Sequence, residues 1–478
     1  MSQIDFDALL RLLSFTPGEP MLFNSGLFLV LFLLFSAGYA LLSAQRAKAV
    51  RLLYVTAFSY YFYYKNAGAW CCLLAVITLV NYFCALRLDH TERPAARKAW
   101  LWLAVGFMLG QLAVFKYTDF AIGTWCDLTG TPRPETPALP VLVGISFFTF
   151  QSMSYIIDVY RRQMPATRSL TDFAFFVSFF PTLLAGPILR ARTFLPQLAK
   201  PLCVTQQMLG TGTWFIIIGL FKKCVISDYI SVNFVSRIFD NPALYSGLEN
   251  LLGIYGYALQ LYCDFSGYSD MAIGIALWMG FEIPANFRAP YKSDSITDFW
   301  RRWHISLSSW LRDYLYISLG GNRKGRLRMY FNLFLTMLLG GLWHGASWNF
   351  VIWGSVHGFA LGVHKRFREL LGHDRHYQSR GIRRFFAVLL TFHLVCFCWL
   401  FFAGTSFEAS MQMIGQICSN FNPQLLPQFL EGYPLVSALM VGGFVLHFLP
   451  TAWNGKAESL AGRTPLPVQA IALALMIF

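Results

Sequence analysis

Charged residues are scarce in this sequence. They make up 13% of its 478 residues, against 56% hydrophobic residues, whereas about a quarter of an ordinary soluble domain is charged. This deficit excludes a typical soluble protein and predicts a polytopic membrane protein, whose domains cannot be counted from its length. Acidic residues are the scarcer class, 24 against 38 Lys and Arg, which gives a net charge of +14. Because the basic residues lie in short loops between apolar runs, membrane topology explains the excess and nucleic-acid binding is not expected.

Several sequence patterns of catalytic and metal sites are also missing. There is no H-E-x-x-H, no G-x-S-x-G and no C-x-x-C, which argues against a zinc site, a serine nucleophile on a strained turn and a disulfide framework. We therefore expect no metal and no bound cofactor. The ten cysteines are scattered, and we expect those in apolar runs to be small core residues. These are Cys71, Cys72, Cys84, Cys224, Cys263, Cys396 and Cys398. The N-terminus lacks the basic region and short apolar core of a cleaved signal peptide, so we expect the first apolar run to remain as a span.

Long apolar runs separated by basic loops predict an all-α polytopic membrane protein with about ten to twelve transmembrane or re-entrant helices. We expect one membrane domain over residues 1–478, with the N-terminus outside and the basic loops in the cytoplasm. Run 172–188 contains Pro181, Gly186 and Pro187 between basic loops, which predicts a re-entrant segment. The predicted runs are 21–44, 52–64, 68–86, 99–117, 139–158, 172–188, 207–227, 251–281, 329–364, 385–404, 434–451 and 466–478.

The chain is organised around the apolar run 329–364, which has basic residues at both ends. As one helix it would be roughly 54 Å long, well beyond the roughly 30 Å of a bilayer core. Two basic ends place both ends on the cytoplasmic side. We therefore predict a hairpin that enters the membrane, breaks near Gly340–Gly341 and Gly345, and returns.

This hairpin would place His344 at its turn, deep in the membrane. An ionisable residue there is expensive, so a functional role is the first hypothesis. The alternative is a core histidine whose ring nitrogens are satisfied by backbone carbonyls. His357 and His364 lie in the same run nearer the cytoplasmic end, where we expect interfacial or snorkelling roles.

Residues 286–328 are too polar to span a membrane and too aromatic for an exposed loop. A helix beginning at Ser295, with Thr297 and Asp298 as start signals, would carry a wide apolar face and form an amphipathic cytoplasmic or interfacial insert. Its basic residues would suit the phosphates of a nucleotide-bearing acyl donor. His304 either lines a tunnel or is capped by Asp298 or a backbone carbonyl.

Run 251–281 carries two carboxylates, Asp264 and Asp270. Carboxylates at such depth usually pair with a base or line a wet cavity. Being six residues apart, they point in different directions on a helix. Pairing with an Arg of a cytoplasmic loop and a role in catalysis both remain open.

Several of these segments together resemble the membrane-bound O-acyltransferase family. The resemblance rests on W-H-G-A-S-W-N at 343–349, D-F-W-R-R-W-H-I-S-L-S-x-W-L-R-D-Y at 298–314, L-G-G-N-R at 319–323, P-T-L-L-A-G-P-I at 181–188 and Q-L-Y-C-D-F-S-G-Y-S-D at 260–270. It covers roughly residues 20–450 and is greatest for the bacterial branch that acts in alginate O-acetylation and teichoic acid D-alanylation. That branch leads us to expect an aromatic C-terminal tail, and none follows Phe478.

The resemblance implies helices around a tunnel through the membrane, with His344 as the catalytic histidine at its waist and His304 as the second histidine. It implies a bacterial cytoplasmic (inner) membrane protein that takes an acyl group from acetyl-CoA or another thioester. The group would pass to an extracytoplasmic acetyltransferase partner or to a cell-envelope glycan. The candidate donor-binding or tunnel-lining residues are Trp343, Asn349, Asp298, Arg301, Arg302, Trp303, Tyr314, Asn322, Arg323 and Asp264.

The residues favour direct transfer, with His344 as a neutral base that takes the proton of the attacking hydroxyl. The developing oxyanion would need a donor, for which Trp343, Asn349 and His304 are candidates. Two other hypotheses stay open: a lipid or protein O-acyltransferase with a longer donor, and a transporter in which His344 and Asp264 relay protons or ions.

Overall fold

The computed structural model describes residues 6–44, 48–135, 139–140, 142–372, 377 and 379–477. Within these ranges the chain is helical and contains no strand, which confirms an all-α polytopic membrane protein. The α-helices are α1 (Phe6–Leu13), α2 (Gly26–Ala44), α3 (Lys48–Ala67), α4 (Cys71–His90), α5 (Pro94–Leu112), α6 (Thr118–Thr129), α7 (Ile145–Tyr160), α8 (Leu170–Ser178), α9 (Phe180–Leu183), α10 (Ala191–Ala199), α11 (Gln206–Leu220), α12 (Ser236–Asp240), α13 (Gly247–Trp278), α14 (Ile296–Arg302), α15 (Ile305–Trp310), α16 (Arg326–His344), α17 (Trp348–Leu370), α18 (Gly381–Ala403), α19 (Phe407–Ser419), α20 (Leu426–Gly432), α21 (Pro434–Phe448), α22 (Thr451–Arg463) and α23 (Leu466–Ile477).

Four stretches of the described chain are long and apolar enough to cross a membrane: Gly26–Ser43, Lys48–His90, Pro94–Thr129 and Gly381–Ala403. A fifth is possible if the helices on either side of Tyr433, bent by 104°, form one span. All twelve apolar runs predicted from the sequence contain helix. Whether the shorter or more polar ones also cross the membrane stays a prediction.

The chain divides into two compact units, Met1–Gly212 with Met271–Pro284, and Thr213–Asp270 with Ala285–Phe478. The single membrane domain expected from the sequence stays a prediction.

In the first unit, run 172–188 is broken as expected: α8 ends at Ser178, Phe179 is non-helical (φ −53°, ψ 102°), and α9 begins at once. The N–H of Phe180 donates to the hydroxyl of Ser59 on α3 at 3.2 Å. A broken helix is tolerated at membrane depth when its freed backbone groups bond within protein, and this contact provides such a partner.

The second unit holds a large aromatic core, built where α14, α17 and α18 pack together. Trp353 and Trp399 are among its largest fully buried side chains.

The prediction that the cysteines in apolar runs are core residues is confirmed in part. Cys84, Cys263, Cys396 and Cys398 are buried, Cys71 is half-buried, and Cys72 and Cys224 are exposed.

The insert 286–328 begins as predicted and then departs from the prediction. Ser295 caps α14, its hydroxyl accepting the N–H of Asp298 at 3.3 Å. The helix does not continue, because Trp303 is extended and His304 adopts a left-handed conformation (φ 42°, ψ 57°) before α15 begins. Trp303 is 3% exposed. The apolar face of this segment is therefore part of the protein core, and the segment forms two short helices; its cytoplasmic or interfacial position stays a prediction.

Candidate active site

The organising apolar run folds as a helical hairpin with His344 at its turn. Helix α16 ends at His344, Gly345 is extended (φ −163°, ψ 156°), and α17 begins after Ser347. The helical hairpin is confirmed, whereas its entry into the membrane stays a prediction. The break near Gly340–Gly341 was wrong, since both glycines lie inside α16, where they serve helix packing instead.

Glycines let the two arms of the hairpin touch backbone to backbone. A Cβ on Gly341 would lie 2.3 Å from the carbonyl oxygen of Phe350, and one on Gly354 would lie 2.5 Å from that of Met337. Such an approach is open only to residues without a side chain. The close contact fixes the position of the α16 terminus, and so of His344, against α17.

The turn itself is covered by an aromatic ring. A Cβ on Gly345 would lie 1.9 Å from Cε2 of Phe350. Because no side chain fits beneath this ring, the residue after His344 must be glycine. The two rings, of His344 and Phe350, lie nearly parallel with their centres 6.5 Å apart.

His344 sits among the rings of three further aromatic residues. The ring centres of Trp343, Phe402 and Trp353 lie 4.8, 5.0 and 5.1 Å from that of the imidazole. Phe402 comes from α18 and Trp353 from α17. His344 is nevertheless only half-buried, so its imidazole remains open to a substrate within apolar surroundings.

His304 is almost completely buried, at 1% exposed, and is held by a side chain that the sequence did not single out. Its Nδ1 lies 3.1 Å from Oδ1 of Asn286. The same oxygen accepts the backbone N–H of Ser306 at 3.1 Å and its hydroxyl at 2.9 Å, and the carbonyl of Asn286 accepts the N–H of Ile305 at 2.9 Å. Asn286 therefore fixes both the left-handed turn and the ring of His304, and the predicted cap by Asp298 was wrong.

This network determines the tautomer of His304. A backbone N–H can only donate, so the Asn286 atom that receives the N–H of Ser306 must be the oxygen. The Nδ1 of His304 must then carry a proton to donate to that oxygen. In the neutral ring Nε2 is left as the basic nitrogen.

His304 interacts electrostatically with His344. His304 lies outside the stretches of the described chain that are long and apolar enough to span a membrane. Burial and, secondarily, the charge of His344 lower the pKa of His304 well below its ordinary value. Both imidazoles also face the ring of Trp343, at 6.0 and 4.8 Å between ring centres. The two predicted catalytic histidines are thus brought together, with His304 neutral.

Helix α14 places four predicted residues with different surroundings. Asp298 forms an ion pair with Arg302 at 2.8 Å, and Arg301 is exposed. Trp303 stacks in the core, its ring centre 4.9 Å from that of Trp399. The structure therefore brings Trp303 to the aromatic core and leaves Arg301 at the surface.

Three predicted residues belong to the polar segment after α15. Tyr314 is buried against Trp310, with ring centres 5.3 Å apart. Asn322 is exposed, and its side-chain oxygen accepts the hydroxyl of Tyr316. Arg323 is exposed as well. Asn322 and Arg323 can therefore meet a ligand only at the surface of this segment.

The carboxylates of α13 pair with lysines rather than with an Arg of a loop, so the expected Arg partner was wrong. Asp270 lies 2.6 Å from Nζ of Lys222, and Asp264 lies 2.5 Å from Nζ of Lys223. The two lysines are adjacent, in a π-helical stretch that follows α11. The wider π turn lets neighbouring lysines reach carboxylates six residues apart on α13.

Asn349 joins the hairpin to α18. Its Nδ2 donates to the carbonyl of Gly404 at 2.9 Å, and the side chain is 4% exposed. Through one of the two N–H groups of its amide, Asn349 braces α17 against the end of α18.

Sequence reasoning missed Asn286 and the buried stripe of α17. Phe350, Trp353 and His357 recur at helical spacing on the side of α17 that faces His344. His357 is fully buried, so the expected interfacial role was wrong. His364 is half-buried and its Nδ1 lies 2.9 Å from the hydroxyl of Thr297. The spacing of the stripe could have revealed it, whereas nothing in the local sequence pointed to Asn286.

Comparison with known proteins places this site within a described family. Residues 159–403 match the family model described as MBOAT, membrane-bound O-acyltransferase family. This region contains His304, His344, Asn286 and the aromatic residues around them.

Several characterised or curated proteins are similar over much of the chain. A probable alginate O-acetylase of Pseudomonas putida is 41% identical over 94% of this chain and 90% of its own length. A peptidoglycan O-acetyltransferase of Helicobacter pylori is 36% identical over 82% of this chain and 79% of its own. A teichoic acid D-alanyltransferase of Bacillus subtilis is 33% identical over 58% and 73%.

Proposed function

The chain belongs to the membrane-bound O-acyltransferase family, and from that premise we propose that it O-acetylates a cell-envelope polysaccharide. The donor is acetyl-CoA on the cytoplasmic side of the bacterial inner membrane. The acetyl group crosses the membrane through the protein and reaches the glycan, directly or through an extracytoplasmic acetyltransferase partner. The names of the relatives, an alginate O-acetylase and a peptidoglycan O-acetyltransferase, support this acceptor class.

The observation that carries the proposal is the pair of imidazoles in the matched region. His344 is half-buried at a helix turn among aromatic rings, and His304 is neutral and fixed by Asn286. A reactive thioester needs an apolar setting that limits hydrolysis, together with a base near neutral pKa. A transporter that relays protons through His344 would need no setting that limits hydrolysis.

In the proposed reaction His344 takes the proton of the acceptor hydroxyl as its oxygen attacks the thioester carbonyl carbon. A C–O bond forms and the carbonyl oxygen becomes an oxyanion. When the carbonyl re-forms, the C–S bond breaks, and the proton held by His344 passes to the departing CoA thiolate. Atoms and charge balance without a metal or redox partner, and general-base catalysis by histidine contributes about 10²- to 10⁴-fold.

His304 acts as the positioning histidine in this mechanism. Because its Nδ1–H is committed to Asn286, its ring is held in one orientation and stays neutral next to the reacting groups. A neutral neighbour also avoids a second positive charge beside the imidazolium that His344 becomes during the reaction.

The test uses the full chain in lipid nanodiscs with [¹⁴C]acetyl-CoA and an acceptor glycan fraction. We expect CoA release and label transfer that fall about 10²-fold or more in His344→Ala. His393→Ala is the matched control, since His393 is an exposed histidine on α18 bonded to Tyr255, and it should retain wild-type activity.

Other outcomes would redirect the proposal. Wild-type protein that uses palmitoyl-CoA but not acetyl-CoA would show a lipid or protein acyltransferase with a long-chain donor. A folded His344→Ala variant that turns over as fast as wild type would make His344 structural and reject the mechanism.

A further inference from the structure

A buried histidine outside the catalytic pair has a fixed tautomer. The indole N–H of Trp300 donates to Nδ1 of His357 at 3.3 Å. Since Nδ1 accepts, the neutral ring carries its proton on Nε2. His357 therefore presents a fixed Nε2–H donor inside the core, at 0% exposed.

In the described part of the chain three N–H donors of this cluster lack an acceptor, those of His357, Trp353 and Trp399, and the first two share one face of α17. Within the described part of the chain, neither Nε2 of His357 nor Nε1 of Trp353 has a hydrogen-bond partner, and Trp353 is 1% exposed. More than nine in ten buried polar groups in native proteins are paired. Two adjacent unsatisfied donors in one core therefore point to an oxygen acceptor from a ligand.

These donors lie beside the proposed base. The ring of Trp353 is centred 5.1 Å from that of His344 and 4.7 Å from that of His357. The two imidazoles are thus within about 10 Å of each other. Trp353 and His357 are one helical turn apart on the same face of α17, so their position relative to His344 is set by the glycine contacts of the hairpin.

We propose that the N–H groups of His357 and Trp353 bind the carbonyl oxygen of the acyl thioester and stabilise the oxyanion formed there. This inference rests on the proposed function and identifies the carbonyl-binding part of that site. As the acceptor oxygen attacks the carbonyl carbon, the carbonyl π electrons move to its oxygen, which accepts the two N–H bonds. They return when the C–S bond breaks, and His344 handles the proton.

The spacing suits this arrangement. A hydrogen bond of about 3 Å from His344 to the hydroxyl and an approach of about 3 Å to the carbonyl carbon bring the carbonyl oxygen within about 3 Å of a donor on the far side of Trp353. The ring of Trp353 lies between the two imidazoles, so the carbonyl would reach the two donors along the edge of that ring.

The binding experiment separates the carbonyl from the rest of the donor. The probes are CoA analogues in which a methylene replaces the thioester sulfur, one keeping the ketone and one carrying a methylene in its place. We expect wild-type protein in nanodiscs to prefer the ketone by about tenfold, as one to two hydrogen bonds would give. The preference should vanish in His357→Leu and shrink in Trp353→Phe.

The kinetic experiment tests the donor rather than the ring. His357→Leu and His357→Gln both remove the imidazole, but glutamine can accept from Trp300 and still donate. We expect kcat to fall about 10²-fold in His357→Leu, with a rise in KM of up to about tenfold from the lost ground-state bond, and His357→Gln to recover a large part of both. A purely structural histidine would make both variants lose folded protein alike.

The outcomes distinguish this inference from the function it rests on. Wild-type protein that binds both analogues equally, with kcat unchanged in a folded His357→Leu variant, overturns the carbonyl site and leaves the acetyltransferase intact. An ordered water would then satisfy the two donors. Wild-type protein that binds neither analogue nor acetyl-CoA rejects a CoA donor, and the carbonyl site with it.

Discussion

The side-chain oxygen of Asn286 lies 3.1 Å from Nδ1 of His304, at a residue where the backbone is left-handed. One amide oxygen thereby sets both the turn between α14 and α15 and the tautomer of the second histidine. The relationship ties the geometry of the site to a residue eighteen positions away in the chain.

Removing the amide should therefore damage both stability and activity. Asn286→Ala leaves the buried donors of His304 and Ser306 without their acceptor, which should cost about 2–4 kcal/mol of unfolding free energy. Thermal unfolding in detergent measures the change. Asn420→Ala, at an exposed asparagine, is the control and should change stability by less than about 0.5 kcal/mol. Equal behaviour of the two variants would contradict the role of Asn286.

The buried neutral state of His304 should make stability depend on pH. Its pKa is lowered on folding, so below its unfolded pKa near 6.5 the unfolded state binds more protons than the folded state. This contribution is fully present above about pH 6.5 and is lost as pH falls below it.

We therefore expect His304→Asn, which tolerates the left-handed conformation, to lose less stability than wild type between pH 7 and pH 5. Melting temperatures across that range, in one detergent and at constant ionic strength, measure the difference. Parallel curves for the two proteins would show that His304 does not titrate on unfolding.

The ring of Phe350, which lies over the turn, should require glycine at position 345. Gly345→Ala places a Cβ 1.9 Å from the Phe350 ring, which must move and disturb His344 with it. We expect a large loss of turnover, partly recovered in Gly345→Ala/Phe350→Leu, where the smaller side chain can yield. Gly415→Ala is the matched control, because nothing lies within 4 Å of that Cβ in α19. A fully active Gly345→Ala variant would show that the turn adapts.

The backbone contact between the two arms of the hairpin should tolerate substitution less well than the turn at Gly345. Gly354→Ala would set its methyl 2.5 Å from a carbonyl oxygen of α16, and a backbone atom cannot move aside as a ring can. We expect a loss of about 2–3 kcal/mol of unfolding free energy. Denaturant unfolding of the full chain measures it, and no single side-chain truncation in α16 should restore it. Wild-type stability would mean that the arms can separate without penalty.

The two lysine–aspartate pairs should differ in their contribution to stability. The Lys222–Asp270 side chains are 22% and 16% exposed, whereas Asp264 of the other pair is 44% exposed. Lys222→Met would leave a largely buried carboxylate unpaired, a loss of about 3 kcal/mol. Lys222→Met/Asp270→Leu should recover most of it, and Asp264→Asn should lose under about 1 kcal/mol. Thermal unfolding compares the three, and equal losses would contradict the difference in burial.

The sequence by itself determined the class of fold, the hairpin and the principal histidine. Apolar runs long enough to cross a bilayer must become helices, because no other local structure satisfies every backbone group there. Basic residues at both ends of 329–364 predicted that the chain returns, and glycines near its middle offered two places for a turn, Gly340–Gly341 and Gly345. Both placed His344 close to the turn, and the structure uses the second.

The tertiary structure alone decided what surrounds that histidine. The tautomer of His304 depends on Asn286, the pairing of Asp270 on a π-helical stretch that brings Lys222 within reach, and the burial of His357 on the packing of α14 and α18 against α17. These contacts join residues far apart in the chain, through hydrogen bonds and ring contacts that no local pattern encodes. Periodicity shows which face of a helix is apolar, but the partner on that face, and so the chemistry of the site, is fixed only when the helices pack.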